Sequence, residues 1–211
     1  MDTFVNQTDL ARKVLLVCGI LAALLFVGTD RLAGTLWKGY SFTSQSISEL
    51  SAVGAPTRPL VLPLQITMDI LMIAFGLGLW ALAGPMWAPR RMAGLIVGYA
   101  VLGLAGAFFP IHLSGAVRAF ASTMNVLLTG LSVFSLLLAI ASGALAFSNW
   151  FRWFSIGTLL VFLVLTILGL FVLPQLTAGE PVSRVGAQER TMMYTCFLWV
   201  VMLAVDLLRD L

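Results

Sequence analysis

A carboxylate in the middle of an apolar run needs a chemical reason to be there. Asp69 lies about nine residues into the run 60–83, some ~13 Å along a helix axis and near the midplane if that helix spans a bilayer. A carboxylate at such depth costs about 2.5–3.5 kcal/mol on insertion scales. It is therefore a proton donor or acceptor, an anchor for a ligand, or a buried carboxyl hydrogen-bonded to a neighbouring helix. Gln65 stands one turn earlier on the same face and Gly76 two turns later. A face that is polar at the centre and small beyond it looks into a bundle, not toward lipid.

A second polar stripe lies in the run 118–147. Arg118, Ser122, Asn125, Thr129 and Ser132 follow spacings of 4, 3, 4 and 3 and so share one helical face. Such a stripe glues helices together, lines a wet cavity, or does both. Arg118 would stand at the cavity mouth, within reach of a carboxylate. The expectation is that the second and fourth helices are adjacent, with Asp69 facing Asn125.

The loop between the first two runs carries Ser46-x-x-Glu49, which fits a capping box, and Gly54, which fits a helix stop. This predicts a short interfacial helix of two turns. Glu49 is then either part of that cap or a group at the rim of a site. Asp30-Arg31, at the outer end of the first run, can pair with each other or across the bundle with Arg118 and Glu189. Glu189-Arg190 opens the last run, where Glu189 either favours the helix N-terminus or faces the site. His112 is the only histidine and follows Pro110 in a short turn. The candidate catalytic groups are thus Asp69, Glu49 and Glu189. The candidate ligand contacts are Arg118, Asn125, Ser122, Gln65, Arg190 and His112.

One histidine with dispersed carboxylates does not make a zinc site, and HExxH, CxxC, P-loop, GxSxG and dinucleotide fingerprints are all missing from the sequence. No metal and no cofactor is expected. Cys18 and Cys196 lie near the starts of the first and last runs, at opposite leaflets, too far apart in depth for a disulfide. They read as small buried hydrophobes.

These groups need elements to hold them, and composition says which. Of 211 residues, 60% are hydrophobic and 10% charged, with a mean hydropathy of +1.02. A soluble domain carries about 25% charged residues, so this chain lacks a wetted exterior and lipid is its solvent. Disorder, a secreted disulfide scaffold and nucleic-acid binding are excluded. Basic residues stand singly or as Arg90-Arg91, the pattern of topology signals. Six apolar runs are long enough to cross, roughly 13–36, 60–83, 92–110, 118–147, 153–176 and 190–208. Asp2 and Asp9 in front of the first run argue against a signal peptide. Pro110 and Pro174 are expected to close the third and fifth helices. The fold is therefore all-α, one membrane domain of six transmembrane helices.

Six crossings place both termini on one side. Six basic residues fall on each side, but the tight turns 84–91 and 148–152 hold three arginines and no acid. This favours cytoplasmic termini in a cell (inner) membrane. Loops 37–59 and 177–189 then lie on the outer face. Arg58, Arg118 and Arg190 each precede a helix that carries Thr67-Met68-Asp69, Thr123-Met124-Asn125 or Thr195-Cys196-Phe197 at similar depth, a pattern that three parallel hairpin repeats would give.

The segment from Tyr40 through Ser46-Ile47-Ser48-Glu49-Leu50-Ser51-Ala52-x-Gly54-Ala55-Pro56-x-Arg58 resembles the signature loop of the domain-of-unknown-function family numbered nine-nine-eight, multi-span proteins of bacteria and archaea. Phe109-Pro110, the polar fourth run and Gly186-x-x-Glu189-Arg190 are similar as well, so the resemblance covers most of the chain. It implies a six-helix membrane protein and carries no activity with it. More distantly, the loop resembles that of eukaryotic six-span proteins tied to lipid and GPI-anchor remodelling, which show Ile-Ser-Asp where this chain has Ile-Ser-Glu.

Three functions fit the residues. In the first, the protein binds or modifies an amphipathic membrane lipid or isoprenoid in a polar cavity open to the extracytoplasmic face, with Asp69 as the acid of a membrane-embedded enzyme in one version. In the second, a small transporter uses Asp69 as a proton or cation site. In the third, the chain is a ligand-free accessory or structural subunit. The sequence sets no oligomeric state.

Overall fold

The computed structural model describes residues 2–111, 119–147, 149–177 and 184–211, with side chains for 9–111, 123–147, 150–169 and 184–211. Its helices are α1 (Asp2–Leu36), α2 (Arg58–Leu82), α3 (Trp87–Ala107), α4 (Ala119–Ala146), α5 (Asn149–Thr177) and α6 (Val185–Arg209), with a short 3-10 segment at Ile47–Ser51. Five stretches are long and apolar enough to cross a membrane: Asp9–Leu36, Arg58–Leu82, Thr123–Ala146, Trp150–Gly169 and Val185–Arg209. The third helix falls outside that set, because Arg90 and Arg91 occupy its first turns and leave only a short apolar remainder of its 21 residues.

Each helix packs on the next in sequence, and α6 returns to α1, so the six close into a ring. Backbone groups in lipid must be satisfied within their own helix, which leaves side chains alone to choose neighbours. The ring corrects one expectation. No substantial contact joins α2 to α4, because α3 runs between them.

The two ends of the ring differ. Leu16 of α1, Leu79 of α2, Ala93 of α3, Ile140 of α4, Phe151 of α5 and Leu203 of α6 fill one end as a continuous apolar core. Trp199 is fully buried there, and its indole Nε1 donates to Ser155 Oγ at 2.8 Å. The opposite end, which bears the loop 37–57, is hollow.

Two local expectations also change. Pro174 does not end the fifth helix, which continues to Thr177. Proline lacks the N–H that would bond the carbonyl four residues back, so the helix runs on past it with one backbone bond fewer in its last turns. The predicted two-turn helix in the first loop is a single 3-10 segment of five residues. Its cap is as expected on the acidic side: Ser46 N–H donates to Glu49 Oε1 at 3.0 Å. Gly54 adopts φ 97°, the left-handed conformation that lets the chain turn back toward α2.

The loop is seated directly on α6. A Cβ on Gly186 would run into the backbone oxygens of Gln45 and of Phe42, the latter 2.8 Å away. Backbone cannot give way as a flexible side chain does. Gly186→Ala is therefore expected to destabilise by about 1–3 kcal/mol, read as a lower melting temperature in detergent micelles. Gly157→Ala, where an added Cβ meets open space, should leave melting unchanged or slightly raised.

Candidate functional site

The hollow end holds a cavity of about 350 Å³. It is built from the late residues of α1 and α3 and the early residues of α2, α4 and α6. That alternation is the signature of an up-and-down ring, in which every second helix presents the same end. The 3-10 segment covers it through Ile47, Leu50 and Ser51, while Ile111, four residues beyond α3, accepts a backbone hydrogen bond from Val53 at 2.7 Å. Most of the wall is apolar, including Phe26, Met68, Phe162, Met192 and Met193.

Asp69 lies on this wall, only 1% exposed. Its Oδ2 has no hydrogen-bond partner, and no ion pair reaches it among the described residues. The carboxyl rests on α3: a Cβ on Gly103 would lie 2.7 Å from Oδ1, so the missing side chain at 103 is what makes room for it. A carboxyl bonded to a neighbouring helix is thus not what the described residues form. Tyr99 lies on the same wall, buried and edge-on to Phe197. Thr29 Oγ1 is a second buried wall atom without a partner.

The fourth-helix stripe does reach the cavity, although α4 is not beside α2. Asn125, Thr129 and Ser132 line it. Asn125 Nδ2 donates to the Gly106 carbonyl at 3.3 Å and Ser132 Oγ to the Thr129 carbonyl at 2.8 Å. Asn125 thus both bonds α3 and lines the hollow, while Thr129 and Ser132 line it with a bond inside α4. Gln65 lines it too. Arg118 and His112 lie outside the described residues, as does the side chain of Ser122.

Around the rim the charges are engaged with protein. Arg190, 4% exposed, holds Asp30 through both guanidinium edges, Nε to Oδ2 at 3.1 Å and Nη2 to Oδ1 at 2.9 Å. Its Nη1 donates to the carbonyls of Phe42 at 2.8 Å, Gln45 at 2.9 Å and Gly186 at 3.1 Å. Nη2 also donates to the Tyr40 hydroxyl, and the Tyr194 hydroxyl donates to Asp30 Oδ2. The rings of Tyr40 and Phe42 lie 5.4 and 5.1 Å from the guanidinium carbon. Burial pushes the Tyr40 hydroxyl above its ordinary pKa, against the opposing pull of Arg190. One arginine thereby ties the loop to α1 and α6.

Glu189 faces the cavity, but it caps the 3-10 segment, accepting from Ile47 N–H at 2.9 Å. Glu49 accepts from Gln45 Nε2 at 2.9 Å and from Ser46, and it does not line the cavity. Arg58 Nη1 donates to the Ser51 carbonyl. The described structure therefore brings Asp69, Gln65, Asn125 and Glu189 to one cavity, and places Glu49 and Arg190 in the loop's own scaffolding. Asp30 and Arg190 both stood out in the sequence, Asp30 as a charge inside an apolar run and Arg190 as a candidate ligand contact, but their pairing did not. The parts played by Tyr40, Tyr194, Tyr99 and Gly103 left no signal there.

No group of three metal-ligating side chains is found among the described residues. A ring of apolar helices around a partly polar hollow defines the class, a multi-pass all-α membrane protein. The chain belongs to the family described as "Protein of unknown function (DUF998)", whose model matches residues 20–206. No curated protein and no solved structure matches it.

Proposed function

We propose that this protein binds an amphipathic membrane lipid or isoprenoid in the cavity at the long-loop end of the ring. All six helices cross, the termini face the cytoplasm, and the cavity lies toward the extracytoplasmic leaflet of the cell membrane. The arginines of the tight turns 84–91 and 148–152 support that orientation. The observation that carries the reading is an apolar hollow of about 350 Å³ with a carboxyl on its wall that no described residue pairs, within the roughly 300–1,000 Å³ range of small-molecule sites. A structural subunit has no use for that combination, since filling the hollow and removing the carboxyl would both stabilise it. Chemistry on the ligand would fall to Asp69 alone as proton donor or acceptor, because Glu49 and Glu189 are held by the loop.

Mass spectrometry of lipids extracted from the purified protein tests the proposal. Val133 lines the cavity, and Val133→Trp adds an indole to the wall. Wild type is expected to retain a defined amphiphile that Val133→Trp loses at unchanged melting temperature. Identical lipid profiles for the two would exclude an occupied cavity. A second reading, a proton or cation transporter, is favoured by the lack of a counter-ion for Asp69 among the described residues. It predicts ion flux in proteoliposomes that Asp69→Asn abolishes.

A further inference from the structure

Resting on the reading that the cavity holds an amphiphile, we propose that its ligand is a lipophilic amine whose ammonium group pairs with the Asp69 carboxylate. Asp69 Oδ2 is buried and unpartnered on the cavity wall. A ligand that satisfies the ionised carboxylate must donate a hydrogen bond and bring a positive charge. No described cation forms an ion pair with Asp69. Arg190 is saturated by Asp30, Tyr40 and three carbonyls. Arg58, the one basic residue on the described wall, is engaged with the Ser51 carbonyl.

The remaining wall suits the same head group. Phe26, Tyr99 and Phe162 offer aromatic surface, and Met68, Met192 and Met193 offer thioethers. Aromatic faces attract cations, more strongly where water is excluded. A phosphate or carboxylate head would instead meet a like charge in a low-dielectric site. An alcohol head would satisfy one lone pair and leave any charge uncompensated. Only the ammonium supplies both the donor and the charge. The cavity volume lies near the small end of the ligand range, which suits a single-chain amine over a two-tailed lipid. No bond is made or broken in this step; it is an ion pair.

Matched probes test the assignment: radiolabelled octylamine, 1-octanol and octanoate against the full chain in phosphatidylcholine nanodiscs, reading displaceable binding. Wild type is expected to bind octylamine about tenfold or more tighter than 1-octanol, and octanoate least. Asp69→Asn should erase that preference and Asp69→Glu should keep it. Equal displaceable binding of octylamine and 1-octanol by wild type would overturn the amine assignment and leave the amphiphile reading standing. No displaceable binding of any probe would overturn both. An unchanged amine preference in Asp69→Asn would also overturn the assignment. If Asp69→Asn does not fold, as judged by melting temperature, the wild-type ratio and Asp69→Glu still decide.

Discussion

Arg190→Met is expected to destabilise the protein by about 3–5 kcal/mol, the usual consequence of leaving one member of a buried ion pair alone. The partner it strands is Asp30, only 2% exposed, which would keep only its bond from Tyr194. The loss does not stop at the pair. The carbonyls of Phe42, Gln45 and Gly186 also lose this donor, which leaves the loop 37–57 tied to α6 through the Ile47–Glu189 and Ala187–Thr43 bonds and should let it open more readily. Melting in detergent micelles measures the first effect, and limited proteolysis within residues 37–57 the second. Adding Asp30→Leu to Arg190→Met removes the stranded charge and should restore part of the stability, so the two changes should be far from additive. Melting of Arg190→Met within a degree of wild type would mean that the loop is held by other contacts.

The second large effect runs the other way. Asp69→Leu is expected to raise stability by about 1–3 kcal/mol, the cost of a buried polar group without a partner. It should abolish binding in the cavity at the same time. Most single changes destabilise a packed protein, and a change that stabilises it at a functional site tends to cost the function. The unpaired Oδ2, 1% residue exposure and space left by Gly103 are the observations behind the sign. Thermal melting of ligand-free protein in nanodiscs reads it. A lower melting temperature for Asp69→Leu would show that the carboxylate supports the fold, and would remove the basis of the ligand reading.

These two carboxylates also mark how far sequence reaches. Asp69 stood out because one charge in an apolar run is a local anomaly, visible without knowing any neighbour. The membrane class, the all-α content and most helix positions are legible for the same reason, since hydropathy is summed along the chain. The capping box at Ser46 and Glu49 and the turn at Gly54 are local too, and both appear where the spacing puts them. Asp30–Arg190 spans 160 residues, and nothing in either residue's surroundings names the other. Glu189 stood beside a helix start and was open to an electrostatic role there, yet its carboxylate caps the 3-10 segment, 142 residues away.

Helix order around the ring was decided at the same level. Period and spacing place Asp69 and Asn125 on inward faces, but an inward face does not say which helix lies next to it. Lipid-facing and protein-facing apolar surfaces are chemically alike, so burial of hydrophobic area does not rank the possible neighbours. Close packing does, through fits such as Gly103 against the Asp69 carboxyl and Gly186 against the loop backbone. The sequence by itself determined the solvent of this protein, most of its helices and the buried carboxylate of its candidate site. Only the tertiary structure decided that α3 separates the two polar faces, that Asp30 pairs with Arg190, and that Asp69 lines a hollow with no partner among the described residues, because each of these depends on shape meeting shape across helices far apart in the chain.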